Sequence, residues 1–200
     1  MRITLHARLL LALCATGLVA ACVGGTQPSR LYVLSATEAP SQRSTQGVAL
    51  SVGPIVLPKY LDRPQIVTRP TANELTIAEF DRWGGRLEDN VTQVIGENLS
   101  RRLRTSRVAL FPAEAAVRAD LRISVTISRF ECVGDSGECV LDARWQIAGQ
   151  GDGVAAPSMG ASGLVARPAN GSYTAVAAAM SQLLGELSRE IADGVSARAR

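Results

Sequence analysis

Leu121-Arg122-Ile123-Ser124-Val125-Thr126-Ile127 alternates apolar with polar side chains for seven residues, the period of a strand with one face buried and the other in water. Downstream, Leu141, Ala143, Trp145 and Ile147 alternate in the same way with Asp142, Arg144 and Gln146. Gly134-Asp135-Ser136-Gly137 between the two runs has the composition of a hairpin turn. Residues 161–167 extend this meander by a third segment. Upstream, residues 31–34, 48–56 and 108–111 are strand candidates, and Gly53-Pro54 inside the second suggests an edge or a bulge. Residues 65–69 and 74–80 flank Pro70-Thr71-Ala72-Asn73, which suits a reversing turn, so these read as a hairpin. Residues 36–47 form a polar insertion without a periodic apolar face.

Two runs carry the helical period instead. Trp83, Leu87, Val91, Val94, Ile95, Leu99 and Leu103 recur at steps of three and four, with Asp81 placed to cap the helix and Gly84-Gly85 weakening its first turn. Tyr173, Val176, Ala177, Met180, Leu183, Leu184, Leu187, Ile191 and Val195 draw one stripe along a long C-terminal helix, with Ser172 as its cap. The expected fold is therefore α+β: a two-layer sandwich in which a mainly antiparallel sheet packs against two amphipathic helices. Trp83 and Trp145 lie on apolar stripes and read as core. Arg101, Arg102, Arg104 and Arg107 cluster at the end of the first helix, where cations complement the dipole; a nucleic-acid or lipid-headgroup patch is the alternative.

At the N-terminus, Arg2 and Arg8 precede an apolar run from Leu9 to Leu18, too short to span a bilayer comfortably. Val19-Ala20-Ala21 then lead into Cys22, which is the layout of a secretory signal. Leu18-Val19-Ala20-Ala21-Cys22 resembles the bacterial lipobox, in which the cysteine is diacylated and the chain is cut before it. A plain secretory signal and an uncleaved anchor are the alternatives. The expected organisation is a signal peptide over 1–21, a lipidated Cys22 with its tether over 22–30, and one domain over 31–200. By resemblance to bacterial lipoproteins, Val23 after the cysteine, where Asp would favour inner-membrane retention, points to the outer membrane of a Gram-negative bacterium, facing the periplasm.

Removing residues 1–21 changes the inventory of chemistry. Arg2 and Arg8 leave with them, so 19 of the 21 basic residues remain against 18 acidic ones and the mature net charge is about +1. A near-neutral chain with only 4% aromatic residues has neither the charge nor the stacking surfaces of a nucleic-acid binder. The single histidine, His6, is also lost, which removes Ser-His-Asp and Cys-His catalysis and histidine-ligated metals. Gly134-Asp135-Ser136-Gly137 superficially matches a protease nucleophile sequence but has no base, and it reads as a turn. Gly149, Gly151 and Gly153 follow a strand and open no helix, so they are no dinucleotide loop. Scattered carboxylates leave a two-carboxylate glycosidase with nothing in its favour. No catalytic residue, metal or cofactor is expected beyond the lipid on Cys22. Cys132 and Cys139, with six residues between them across the hairpin turn, read as a disulfide in an oxidising compartment; free thiols and metal binding are the alternatives.

The stretch Gly53-Pro54-Ile55-Val56-Leu57-Pro58-Lys59-Tyr60-Leu61-Asp62-Arg63-Pro64-Gln65-Ile66-Val67-Thr68-Arg69 resembles the PqiC (YmbA) family of membrane-integrity, or ABC-type transport auxiliary, lipoproteins. Arg82-Trp83, Glu97-Asn98-Leu99-Ser100, Leu141-Asp142-Ala143-Arg144-Trp145 and the apolar C-terminal helix follow in the family's order, and the likeness spans nearly the whole mature chain. The Cys132 and Cys139 pair departs from the family pattern. The resemblance implies a non-enzymatic accessory subunit, anchored in the outer membrane, of an MCE-type system that moves lipids between membranes and supports envelope integrity. Its implied partners are an MCE-domain periplasmic protein and an inner-membrane transporter component; a ring-shaped partner also allows a homo-oligomer. The alternative is a periplasmic carrier that holds lipid or another hydrophobe in its own pocket. Within residues 57–64 two prolines stiffen a segment carrying Tyr60, Leu61 and Arg63, residue types suited to an interface anchor. Two readings of it stand: Tyr60, Leu61 and Arg63 contact a partner, or the segment covers a sheet edge with Tyr60 and Leu61 in the core.

Overall fold

The computed structural model describes residues 27–40, 47–112, 119–134, 137–150 and 156–198. The signal segment, Cys22 and most of the tether lie outside the described residues, as do Asp135, Ser136, Gly151 and Gly153. Eight strands form one sheet: β1 (Arg30–Tyr32), β2 (Leu50–Val56), β3 (Gln65–Thr71), β4 (Glu74–Trp83), β5 (Val108–Leu110), β6 (Leu121–Val133), β7 (Cys139–Gly149) and β8 (Ser158–Ala166). Two helices, α1 (Leu87–Leu103) and α2 (Tyr173–Arg198), pack on one of its faces, α1 over β2 and β5 and α2 over β7 and β8. The expected two-layer α+β arrangement and the long C-terminal helix are both present.

The alternating run that opens β6 fixes its orientation. Ile123, Val125 and Ile127 are buried towards the helices and sit opposite Ile147, Trp145 and Ala143 of β7. Ser124, Thr126, Arg144 and Gln146 occupy the uncovered face, where they line a shallow groove of about 180 Å³. Between the layers, Leu50, Ile95, Leu99, Phe130, Leu141, Leu183, Leu184 and Leu187 are each less than 2% exposed. Each such side chain contributes about 1.5–3 kcal/mol by leaving water. A bound lipid would have to displace them. Ser172 caps α2 as its position predicts, its Oγ accepting from the Ala175 N–H at 3.2 Å.

The ladders β3–β4, β6–β7 and β7–β8 are antiparallel. The pairings β1–β4, β2–β5, β2–β6 and β3–β6 are parallel. This arises because one edge of β6 serves two strands. Its first half pairs with β2, from Leu50 against Leu121 to Val56 against Thr126, and its end pairs with β3, Thr68 against Cys132 and Arg69 against Val133. The sheet forks there: β2 leads to β5, while β3 leads through β4 to β1. Twelve residues separate Val56 from Thr68 but only six separate Thr126 from Cys132, so six residues of the first chain are looped out. Gly134 is required beside this junction, since a Cβ on it would lie 2.6 Å from the Pro70 Cα.

Two local expectations are corrected. Asp81 and Trp83 do not start a helix: β4 runs through Trp83, and α1 begins at Leu87 after Gly84-Gly85 breaks the chain's direction. The cause is tertiary, because β1 pairs with Asp81, Arg82 and Trp83 in register and so draws them into the sheet. Gly53-Pro54 marks the expected bulge, a register shift between Val52 and Ile55, beyond the last residue that β5 pairs. The polar segment after β1 is not simply a loop. Residues 34–38 form a strap across both helices: Leu34 N–H donates to Asn90 Oδ1 at 2.7 Å, Ser35 N–H to Ser181 Oγ at 3.1 Å, and Thr37 and Glu38 N–H to Asn98 Oδ1, both at 3.0 Å. Residues 41–46 of that insertion lie outside the described residues.

Candidate functional site

The looped-out segment 57–64 is the candidate site, and its geometry follows from the parallel strands on either side of it. A single 3₁₀ turn, Lys59–Leu61, lies within it, closed by Leu61 N–H donating to the Pro58 carbonyl at 2.9 Å. Leu61 is 3% exposed and enters the core. Tyr60 is half-buried, and its hydroxyl donates to Glu131 Oε2 at 2.7 Å. Glu131, on β6, is fully buried, and its other oxygen accepts from Arg69 Nε at 2.7 Å. The Phe130 N–H donates to Oε2 at 3.0 Å, and the Arg69 guanidinium lies 5.4 Å from the centre of the Tyr60 ring. Arg129 reaches Glu131 Oε1 at 3.8 Å and Asp142 Oδ2 at 3.6 Å.

A buried carboxylate is costly unless charge and hydrogen bonds surround it, and here Tyr60, Arg69 and a backbone N–H do so. The cluster therefore ties the looped-out segment to β3 and to β6. It does not arrange a nucleophile beside a base.

Burial, with the Glu131 hydrogen bond and charge adding to it, pushes the Tyr60 phenol up to about 12. The Glu131 hydrogen bond likewise raises Arg69 above its ordinary range. Tyr32, bonded to Asp81, and Tyr173, through burial, are also raised, so all three tyrosines ionise late. A phenol whose folded value exceeds its unfolded value of about 10 stabilises the fold below that pH and loses the contribution as pH climbs to about 12. Phenolate absorbance of the folded protein at pH 10 should accordingly fall well short of the half-ionisation that free tyrosine shows, and urea resistance should drop as pH rises from 10 towards 12. Half-ionised tyrosines in a still-folded protein would contradict this.

Of the three anchor residues expected from sequence, Leu61 and Tyr60 are engaged by the fold, and Arg63 is half-buried with a buried Nε that has no partner among the described residues. Val56 at the end of β2 and Lys59, Asp62 and Pro64 within the segment are exposed. Glu131 and Arg69 complete the cluster. Nothing local in the sequence marks Glu131, because Tyr60, which it binds, lies 71 residues away.

Elsewhere, Cys132 and Cys139 form a disulfide between directly paired positions of β6 and β7. It borders an open groove of about 440 Å³ that also includes Arg167, Asn170 and Val176. The basic cluster after α1 is engaged by the protein itself: Arg101 bonds Glu97 and the Ala36 carbonyl, Arg102 lies 3.6 Å from the buried Glu38, and Arg107 donates to the Gly47 carbonyl at 2.6 Å. Arg104 ends α1 in the left-handed conformation at φ 53°. The described residues also expose large apolar side chains, most of all Leu31, Val33, Met159 and Val165. Among the described residues no helix is long and apolar enough to cross a membrane.

Residues 32–192 match the family model described as ABC-type transport auxiliary lipoprotein component. Among solved structures, the fold is similar to a crystal structure of a protein described only as uncharacterized, at 19% identity and a TM-score of 0.68, covering 84% of this chain and 99% of that one. It is also similar to protein XCC0632 from Xanthomonas campestris, at 19% identity and a TM-score of 0.65, covering 82% and 93%. At such identities the likeness shows the fold alone. Among curated proteins, none is matched by this sequence.

Proposed function

The chain belongs to the family of ABC-type transport auxiliary lipoprotein components, and from that premise we propose that it is a non-catalytic adaptor of an MCE-type lipid transport system, held in the outer membrane by acylated Cys22. The observation that carries this reading is a family match over residues 32–192 immediately downstream of a lipobox-like Leu18–Cys22. An MCE-domain periplasmic protein and an inner-membrane transporter component are the proposed partners. The docking element is the looped-out segment, in which Tyr60 and Leu61 brace the turn from within while Val56, Lys59, Asp62 and Arg63 present it. Its support is physical: a stiffened turn fixed by a buried carboxylate is pre-organised, so little conformational freedom is lost when a partner binds.

Lys59 is the only lysine in the sequence, and the amine of an acylated Cys22 is blocked, so an amine-reactive cross-linker can leave this protein only from the proposed docking element. Affinity capture from gently solubilised envelopes should recover an MCE-domain protein, joined by cross-linking through Lys59, and Cys22→Ala should remove the protein from the membrane fraction. Capture of lipid with no protein partner would overturn the adaptor reading. An MCE partner captured without any Lys59 cross-link would overturn the assignment of the surface.

A further inference from the structure

We propose that the β1 edge of the sheet rests on the phospholipid surface, with Leu31 and Val33 entering the boundary between headgroups and acyl chains. This rests on the reading of Cys22 as the lipid anchor. In β1 alternate side chains point in opposite directions. Asp81 takes one side: Tyr32 donates to it at 2.7 Å and Arg30 lies 2.9 Å away. Burial by itself would raise the Asp81 carboxyl, yet these two partners hold it below the usual range, so β1 is firmly seated. Leu31 and Val33 are left facing outward, 68% and 61% exposed. Both line an open groove of about 510 Å³ whose other wall includes Ala178 and Gln182 of α2. Arg30 on the same strand keeps its side chain 69% exposed, so a cation suited to lipid phosphates accompanies the apolar pair.

The occupant is indicated by chain length. Leu31 is nine residues from Cys22, so even a fully extended chain holds it within about 32 Å of the anchor. The opposite edge, β8, is five strands away across the sheet, about 24 Å further. Exposed apolar side chains at the edge nearest the anchor therefore meet the bilayer before any other part of the domain does.

With Cys22 acylated, Cys14 cleaved off and Cys132 bridged to Cys139, a newly introduced cysteine is the only free thiol. Leu31→Cys, Val33→Cys and, at the far edge, Met159→Cys can each carry an environment-sensitive fluorophore in the full lipidated protein, reconstituted in phosphatidylethanolamine–phosphatidylglycerol vesicles. Met159 is 78% exposed and serves as the reference. Labels at 31 and 33 should brighten about three-fold and shift to the blue relative to 159, and be quenched by brominated acyl chains. Protein that floats with the vesicles while its labels at 31 and 33 stay as water-exposed as 159 overturns the membrane contact alone. Protein that does not float overturns the contact and the anchor reading together.

Discussion

Glu131→Ala should destabilise the domain by about 3–5 kcal/mol, the loss that follows when one member of a buried, hydrogen-bonded charge pair is removed. The carboxylate is fully buried and accepts from Tyr60, Arg69 and the Phe130 N–H at 2.7, 2.7 and 3.0 Å. Without it the Tyr60 hydroxyl is stranded in a low-dielectric site and Arg69 loses its counter-charge. Because the Arg69 side chain is 19% exposed and regains some water, the lower end of the range applies. Glu131→Gln keeps the shape and an acceptor and should cost less, and Tyr60→Phe, which removes one hydrogen bond, about 1–2 kcal/mol. Urea denaturation of the unacylated Cys22→Ala protein measures all three. A loss below about 1 kcal/mol for Glu131→Ala would mean that the cluster behaves as an exposed ion pair and does not brace the segment.

Asn98→Ala is the second large effect, at about 2–4 kcal/mol. Asn98 is fully buried on α1, and its one oxygen accepts from two consecutive backbone N–H groups, Thr37 and Glu38. Each donor left unsatisfied costs about 1–3 kcal/mol. Glu38 is also gripped by Arg189 at 2.8 Å and Arg102 at 3.6 Å, so the strap should loosen around Thr37 before Glu38 is released. At Gly185 the strap lies so close to α2 that a Cβ there would collide with Thr37. Hydrogen exchange at Thr37 and Glu38 should accelerate by at least ten-fold, the equivalent of about 1.4 kcal/mol, together with a lower urea midpoint. Unchanged exchange at both positions would show that the strap is held elsewhere. Since the strap continues directly from Leu31 and Val33, its loosening would also free the edge that we assign to the bilayer.

How much of this was legible beforehand depends on the range of the interaction. The alternation of residues 121–127 and the stripes of the two helices each record, locally, which side faces the core, and β6, α1 and α2 follow them. Ser172 was legible for the same reason, because a cap acts on N–H groups within one turn. Asp81 was misread because it has the composition of a cap, and the partner that claims it, β1, lies about fifty residues earlier. Glu131 and Asn98 looked like ordinary polar positions, and nothing near them in sequence says that Tyr60, 71 residues away, or Thr37, 61 away, supplies the donor.

Taken alone, the sequence determined the family likeness, the confinement of its one histidine to position 6, the fold class and the face that each element buries, since these depend on motif, composition and periods of two and 3.6 residues. Only the tertiary structure decided that β2 and β3 share one edge of β6, that the proline-stiffened segment is the excess chain between them, and that Glu131 anchors it. Strand order and register are set by contacts between distant segments, and a period says which way a side chain points without saying what it will meet.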